Sequence, residues 1–184
     1  MSRTESKMMP LGTTAPKFEL LNTIDDTYPS LDMLKGVKGT VIMFICNHCP
    51  FVKHINAQLS KLAKDYTPKG IECIAISSND AKNYPQDGPD EMKKNAIDQD
   101  FIFPYLYDET QDIAKAYDAA CTPDFFVFDN DLKLVYRGQL DDSRPGNEIP
   151  VTGKDLRAAL NALLDNTEID QDQKPSIGCN IKWK

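Results

Sequence analysis

The stretch Val41-Ile42-Met43-Phe44-Ile45-Cys46-Asn47-His48-Cys49-Pro50 runs from an apolar segment into a Cys-x-x-Cys. Five consecutive apolar residues are too few to cross a membrane, but they are typical of a strand that is buried on both faces of a sheet. After Pro50, which suits the first turn of a helix, apolar residues recur every three or four positions and predict one buried helical face. These residues are Phe51, Ile55, Leu59, Leu62 and Tyr66. The cysteines are therefore predicted to lie where a strand turns into a helix.

This position favours thiol chemistry. A cysteine reacts as the thiolate, and the partial positive charge at a helix N-terminus stabilises an anion. Cys46 and Cys49 are close enough in sequence to form a disulfide with little backbone movement, so a dithiol and a disulfide could interconvert in place. His48 lies between them, and we expect an imidazolium there to lower the pKa of a neighbouring thiol further.

The composition disfavours several classes of partner. With 184 residues, 41% of them hydrophobic, the chain is expected to form one domain with a full core. It has 28 acidic and 21 basic residues and a net charge of −7, so nucleic acid or an anionic membrane is a poor partner. No run approaches the ~20 apolar residues that span a bilayer, and no signal-peptide pattern is seen. We therefore expect a soluble, cytoplasmic protein.

The cysteine count and spacing favour redox chemistry over a structural role. Five scattered cysteines do not resemble the dense disulfide framework of small secreted domains, and a close pair in a reducing compartment is catalytic or metal-binding. Zinc could be held if Cys46, His48, Cys49 and Cys121 converged. A structural zinc site needs four closed ligands, however, and the chain has no second Cys-x-x-Cys or His pair. We predict no metal, and no organic cofactor because a phosphate-binding glycine loop is absent.

The remaining pattern alternates strands and helices around a mixed sheet. A second buried strand at 71–76 should run parallel to the first, which places Cys46 and residues 77–80 together at the carboxyl ends of the strands. Residues 1–10 are expected to be a flexible N-terminus and residues 167–184 a C-terminal tail. The other predicted elements are a hairpin with a short helix over 15–34, helices at 89–99 and 109–117, a hairpin over 125–136, and a last helix from Thr152 or Gly153.

This order of elements, with Thr122-Pro123 just before a strand, resembles the thioredoxin fold. Three segments and the Gly-Cys-Asn-Ile-Lys-Trp tail more closely resemble the thioredoxin-like branch of the alkyl hydroperoxide reductase and thiol-specific antioxidant superfamily, which is peroxiredoxin-like. The segments are 44–51, 122–126 and 136–147. The resemblance implies an α/β thioredoxin-like fold for the single domain 1–184. It also implies a cis-proline at Pro123 facing the Cys-x-x-Cys, with Cys121 close to the dithiol.

Two departures from these families bear on the chemistry. Peroxiredoxins carry a Pro and a Thr or Ser before the peroxidatic cysteine; aligned on Cys49, those places hold Ile42 and Cys46, so the hydroxyl that helps to activate peroxide is missing. Thioredoxins have a buried carboxylate at the place of Thr40, so His48 or water would have to manage the second proton. Asn47-His48 in place of Gly-Pro also indicates a different reduction potential.

We predict a thiol-disulfide oxidoreductase in which Cys46, the more exposed and more acidic thiol, attacks and Cys49 resolves. His48, Thr122 and Pro123 complete the predicted site. One alternative is a thiol peroxidase with antioxidant activity, with Cys49 peroxidatic and Cys46 resolving. Another is a non-enzymatic redox sensor or a module that binds a peptide beside Thr122-Pro123. The expected partners are a protein or small-molecule disulfide or hydroperoxide and a thiol reductant such as a thioredoxin or glutathione system. The oligomeric state stays open.

The other candidate residues keep two interpretations each. Cys121 is a packed loop thiol or a third redox thiol. Cys179 lies in the tail, where it is an exposed thiol or resolves an oxidised cysteine in the same or a neighbouring chain. The loop residues Asp141, Asp142 and Arg144 either select a charged substrate or, as is usual for exposed charges, are simply solvated.

Overall fold

A six-stranded mixed sheet forms the centre of the molecule, and the computed structural model describes residues 3–184. The strands are β1 (Arg3–Glu5), β2 (Leu21–Asn22), β3 (Gly39–Phe44), β4 (Ile71–Ser77), β5 (Tyr105–Tyr107), β6 (Cys121–Thr122), β7 (Asp124–Asp129), β8 (Leu134–Gly138) and β9 (Ile177–Asn180). The helices are α1 (Leu31–Leu34), α2 (Pro50–Tyr66), α3 (Pro89–Asp98), α4 (Asp112–Ala116) and α5 (Lys154–Asp165). Short 3₁₀ turns lie at Thr67–Lys69 and Pro85–Asp87.

The order of strands in the central sheet is β2-β5-β4-β3-β7-β8. β3 pairs in parallel with β4 and antiparallel with β7, and β7 forms a hairpin with β8. The predicted strand-helix-strand unit and the later hairpin are therefore confirmed. All six residues of β3 are buried, as the apolar run before Cys46 predicts.

The two faces of β3 contribute to two separate cores because successive side chains point to opposite sides of a strand. Val41 and Met43 pack in the core that also contains Cys46, Cys49 and the buried face of α2. Ile42 and Phe44 pack on the other face, where the ring of Phe44 contacts those of Tyr117 and Phe126. Burying each large apolar side chain contributes roughly 1.5–3 kcal/mol, so this strand fixes the dithiol firmly to the body of the domain.

A second, three-stranded sheet corrects two predictions about the ends of the chain. Its order is β1-β9-β6, with β9 in the middle. Residues 3–5 of the predicted flexible N-terminus form β1, which is held by antiparallel pairing with β9, while residues 1 and 2 lie outside the described part of the chain. The predicted tail 167–184 likewise contains a paired strand. Main-chain hydrogen bonds between these distant segments order both of them.

The N-terminal hairpin is less regular than predicted. Two isolated antiparallel bridges, Glu19 to Ser30 and Asn22 to Thr27, close it, and β2 pairs with β5 at the edge of the central sheet. α4 is also shorter than the helix predicted at 109–117. Asp108 accepts hydrogen bonds from Ala114 N at 2.9 Å and Ser78 Oγ at 2.7 Å instead of starting the helix directly. Within residues 3–184, no helix combines the length and the apolar character needed to cross a membrane.

Candidate active site

Both cysteines of the Cys-x-x-Cys contact the residue before Pro123. Cys46 follows β3, and Cys49 is the N-cap residue of α2. Cys46 Sγ lies 3.3 Å from Thr122 Oγ1, and Cys49 Sγ lies 3.3 Å from the carbonyl oxygen of Thr122. The Thr122–Pro123 peptide bond is cis. The structure therefore brings together the dithiol and Thr122-Pro123, as the resemblance implies.

Neither sulfur is at the surface. Cys46 is 1% exposed and Cys49 is 0% exposed, so the prediction that Cys46 is the exposed thiol is wrong. The reason is the loop that follows β4, since Asn47 Nδ2 donates to Gln86 O at 2.9 Å and Tyr105 Oη donates to Asn47 Oδ1 at 3.0 Å. These bonds hold residue 47 against the loop and the sheet, and a substrate must reach the thiols by way of a covered entrance.

Several thiol and backbone groups donate hydrogen bonds to Cys49. A hydrogen bond from the Cys46 thiol is the strongest influence and lowers the pKa of Cys49 to about 5. The Cys179 thiol and the backbone N–H groups of Val52 and Cys179 act in the same direction, while burial acts against them. Val52 lies in the first turn of α2, so part of this stabilisation comes from the helix N-terminus. At neutral pH the thiolate of the pair therefore resides on Cys49.

Cys46 lies in the opposite electrostatic environment. Its hydrogen bond to Cys49, its burial and the negative charge of Asp87 raise its pKa well above the usual range, while the bond with Thr122 acts in the opposite direction. The prediction that Cys46 is the more acidic thiol is therefore wrong. The helix N-terminus acts most strongly on its own N-cap residue, which is Cys49, whereas Cys46 precedes the helix and lies near a carboxylate.

Asp87 is the site residue that the sequence did not reveal. Its side chain is fully buried, and His48 Nδ1 lies 2.5 Å from its Oδ2. Asp87 also accepts hydrogen bonds from the backbone N–H groups of Asn47 (2.9 Å) and His48 (3.2 Å) and from Asn79 Nδ2 (2.8 Å). The available signal was its place in the loop after β4, because the carboxyl ends of the parallel strands β3 and β4 meet at one edge of the sheet.

His48 therefore contacts Asp87 directly and lies farther from the thiols. Its Nδ1 is 4.0 Å from Cys46 Sγ, and its ring stacks on Tyr84 with 5.4 Å between ring centroids. We expected a positive ring that lowers a thiol pKa. The structure places a carboxylate against that ring, and the charge of this carboxylate raises the pKa of Cys46.

Cys46, His48 and Asp87 are also residue types that bind zinc, and their donor atoms lie within 4.8 Å of one another. Two donors each ~2.1 Å from one tetrahedral ion would be roughly 3.4 Å apart. The distance of 2.5 Å between His48 and Asp87 is shorter and is that of a hydrogen bond. The arrangement fits a hydrogen-bonded cluster better than a metal site.

Cys179 is the third thiol at the dithiol. It is 2% exposed, and its Sγ lies 2.7 Å from Cys49 Sγ, so the expectation of an exposed tail thiol is wrong. Burial and the hydrogen bond to Cys49 raise its pKa to about 12. Cys121 is also buried, and its Sγ donates to Pro123 O at 3.7 Å. Burial raises the pKa of Cys121, which favours the packed-thiol interpretation.

The loop before α5 is more buried than its charges suggested. Asp141 is 1% exposed and accepts hydrogen bonds from Thr152 N (2.7 Å) and Gly153 N (2.6 Å), which fixes the start of α5. Arg144 donates to the carbonyl oxygen of Ser143 at 2.7 Å and lines a small cavity beside Pro123. The expectation of solvated charges is therefore wrong for Asp141.

Comparison with known proteins gives a family and a fold. Residues 11–137 match the model of the AhpC/TSA family. Over 142 residues the chain is 25% identical to the thiol-disulfide oxidoreductase ResA of Oceanobacillus iheyensis, a match that covers 74% of this chain and 69% of ResA.

Among solved structures, an uncharacterized conserved protein from Geobacillus kaustophilus is 62% identical with a TM-score of 0.98, over 100% of this chain and 97% of the other. A hypothetical protein from Sinorhizobium meliloti is 45% identical with a TM-score of 0.96, over 98% of each chain. The thioredoxin domain of a thiol-disulfide oxidoreductase from Bacteroides vulgatus is 18% identical with a TM-score of 0.60, over 74% of this chain and 91% of that one. This last likeness confirms the predicted thioredoxin-like fold.

Proposed function

The chain belongs to the AhpC/TSA family, and we propose that it is a thiol-disulfide oxidoreductase that cycles Cys46 and Cys49 between a dithiol and a disulfide. One observation carries the proposal: both sulfur atoms lie 3.3 Å from Thr122, directly before the cis Pro123, with Cys49 at the N-terminus of α2. The name of the relative from Oceanobacillus iheyensis supports the same activity.

In the first half of the proposed reaction, the Cys49 thiolate attacks one sulfur of a substrate disulfide. The Cys49–substrate bond forms, the substrate S–S bond breaks, and the first substrate thiolate leaves. This assignment reverses the roles predicted from the sequence, because the pKa of about 5 belongs to Cys49. Thr122 and Pro123 border the two sulfurs and would position the substrate chain.

In the second half, Cys46 attacks Cys49 in the mixed disulfide and releases the second substrate thiol. The proton of Cys46 goes to the departing sulfur and the first substrate thiolate takes a proton from solvent, so the substrate gains two electrons and two protons while Cys46 and Cys49 become a disulfide. A thiol reductant, such as a thioredoxin or glutathione system, would then restore the dithiol. We place this cycle in the cytoplasm, on the basis of the scattered cysteines.

A second candidate is a thiol peroxidase. The low pKa is on Cys49, the position that aligns with the peroxidatic cysteine of peroxiredoxins, and full burial of this sulfur suits an oxidant as small as a hydroperoxide. Cys49 would take the terminal oxygen of the hydroperoxide, whose O–O bond breaks to release water or an alcohol, and would become a sulfenic acid; Cys46 would then condense with it to form the disulfide and water. Antioxidant activity would follow from this variant.

The two candidates are separated by comparing oxidants. Fully reduced protein is mixed with oxidised glutathione or with hydrogen peroxide, the rates are followed, and the disulfides are mapped by mass spectrometry. We expect oxidised glutathione to convert the dithiol to a Cys46–Cys49 disulfide. We also expect hydrogen peroxide to oxidise the protein no faster than it oxidises a free thiol. Peroxide oxidation that is far faster than for a free thiol would instead favour the peroxidase.

Cys49→Ser is the decisive variant, and Cys73→Ser is its matched control because Cys73 is a buried thiol whose pKa burial raises to about 12. Cys49→Ser should lose exchange, while the control keeps it. Exchange at the wild-type rate in Cys49→Ser, or no Cys46–Cys49 disulfide in the wild type, would contradict the proposal. Repeated turnover with a thiol reductant distinguishes an enzyme from a redox sensor.

A further inference from the structure

We propose that Cys179 is a second resolving thiol, which forms an alternative Cys49–Cys179 disulfide within one chain. The inference deepens the proposed function and rests on it, because it takes Cys49 as the nucleophile. The observation behind it is the distance of 2.7 Å between the sulfur atoms of Cys49 and Cys179, both of them buried. The Cys179 thiol therefore already lies against the nucleophile, and a disulfide requires the two sulfur atoms to approach to ~2.05 Å.

The strand that carries Cys179 is held on both sides. β9 pairs with β1 and with β6, and the register places Cys179 directly opposite Thr122. Before the strand, Ser176 Oγ donates to Gly138 O at 2.7 Å. After it, Lys182 N donates to Asn79 Oδ1 at 2.8 Å. The thiol is thus positioned by main-chain pairing and two flanking anchors, and does not sit on a loose tail.

Gly178 makes the close approach of this strand to the site feasible. A Cβ atom at residue 178 would lie 2.0 Å from the carbonyl oxygen of Thr122, the same oxygen that lies 3.3 Å from Cys49 Sγ. A side chain here would have to push β9 away from β6. The pair Gly178-Cys179 therefore combines the residue that permits the approach with the thiol that uses it.

The Cys49–Cys179 disulfide can form with either a disulfide or a hydroperoxide as the oxidant. With a disulfide, Cys49 first forms a mixed disulfide; Cys179 then attacks Cys49, the substrate thiolate leaves, and it takes the proton of Cys179. With a hydroperoxide, the Cys49 thiolate attacks the terminal oxygen, the S–O bond forms and the O–O bond breaks, and an alcohol or water leaves with a proton from solvent, so that Cys49 becomes a sulfenic acid. The Cys179 thiol then condenses with that acid, forming the disulfide and releasing water.

Oxidation of Cys49 also activates Cys179. The hydrogen bond to the Cys49 thiolate and its negative charge both hold the Cys179 proton in place. Both influences disappear once Cys49 is in a mixed disulfide, so Cys179 becomes more acidic when it is needed. Because Cys49 can hold one disulfide at a time, Cys46 and Cys179 compete for it, and Cys46 can later displace Cys179.

The experiment uses Cys46→Ser, which removes the first resolving thiol but keeps a hydroxyl that can donate to Cys49. The reduced variant is mixed with oxidised glutathione, quenched with a maleimide at intervals, and analysed by mass spectrometry and non-reducing electrophoresis. We expect a monomeric Cys49–Cys179 disulfide that replaces the glutathione adduct. Loss of the adduct should be faster than in Cys46→Ser/Cys179→Ser by roughly two orders of magnitude or more, because the neighbouring thiol reacts within the chain.

The matched control is Cys46→Ser/Cys121→Ser, which removes another buried thiol of the same sheet and should behave as Cys46→Ser alone. A stable adduct on Cys49 with Cys179 still labelled by maleimide, or a disulfide between two chains, would overturn the inference. Failure of the proposed function looks different, since wild-type protein would then form no Cys46–Cys49 disulfide.

Gly178→Ala tests the approach itself. If it folds, it should resolve the adduct more slowly in the Cys46→Ser background. Unchanged resolution would count against the inference.

Discussion

The two sulfur atoms of one Cys-x-x-Cys lie in opposite environments. Cys49 has donors around it, including a backbone N–H of the first turn of α2, and its pKa falls to about 5. Cys46 has the Asp87 carboxylate on its side, and its pKa rises. Position relative to the helix N-terminus and to a buried charge therefore decides which sulfur is the thiolate, and order within the motif does not.

The two sulfur atoms are also covered by different segments of the chain. The Cys46 side is covered by the loop that carries Asp87, and the Cys49 side by β9. Asn79 joins the two sides, because its Nδ2 donates to Asp87 at 2.8 Å and its Oδ1 accepts from Lys182 N at 2.8 Å. A movement that opens one side is therefore coupled through one amide to the other.

The largest effect is expected when the hydrogen bond between the Cys46 thiol and the Cys49 thiolate is removed. Cys46→Ala removes the leading donor to the Cys49 thiolate, so the midpoint of the thiolate titration should rise from about 5 toward the ~8.5 of an ordinary cysteine. Ultraviolet thiolate absorbance of reduced protein against pH measures it. In the wild type, lowering the pH through 5 protonates Cys49, so exchange should be lost there and be retained at neutral pH.

Cys121→Ala provides the control for this titration. Its thiol is buried with a raised pKa, so removing it should leave the absorbance below pH 9 unchanged. The assignment of the thiolate to Cys49 would be overturned if the low-pH titration persisted in Cys49→Ala and vanished in Cys46→Ala. Cys46 would then be the attacking thiol, as the sequence suggested.

The central part of the fold could be predicted because its signals are local. The apolar run before Cys46 and the recurrence of apolar residues every three or four positions after Pro50 indicate burial directly. They were enough to predict β3 and α2. The β9 strand could not be predicted in the same way. Its few residues, Ile177–Asn180, follow a polar segment, and their pairing with β1 depends on residues more than 170 positions away.

The candidate site, like the fold, could be predicted only in part from the sequence. Cys46, Cys49 and Thr122-Pro123 were recoverable from the motif and the resemblance, and the structure brings them together. Asp87 was not, since a single acidic residue in a polar loop shows its burial only when the loop has folded over Asn47.

A smaller effect is expected from neutralising the carboxylate on the Cys46 side. Asp87→Asn should lower the pKa of Cys46, because the negative charge of Asp87 is one of the causes that raise it. It should also favour the reduced form, raising the reduction potential by on the order of 30 mV if the dithiol gains ~1.4 kcal/mol. Equilibration with glutathione buffers measures the potential. The buried hydrogen bonds of Asp87 make a loss of about 1–3 kcal/mol in unfolding free energy the expected side effect.

Asp142→Asn is the matched control for this charge. Asp142 pairs with Lys154 at 2.8 Å and Lys174 at 3.2 Å near the surface, and its charge is not among the leading influences on the pKa of Cys46 or Cys49, so the same substitution should leave the reduction potential unchanged. A potential that falls in Asp87→Asn would mean that the carboxylate stabilises the dithiol, contrary to the electrostatic argument.

The smallest effect is expected at His48, and it sharpens the comparison most. In the structure His48 contacts Asp87 at 2.5 Å and is 4.0 Å from Cys46, so His48→Ala should leave the Cys49 titration near pH 5 in place. Exchange should slow by less than about tenfold, the equivalent of one hydrogen bond that positions Asp87. His54→Ala is the control, because His54 Nε2 lies 2.7 Å from Ser143 Oγ and should affect neither quantity. An upward shift of the titration in His48→Ala alone would show that the ring acts directly on the thiolate and that Asp87 does not shield it.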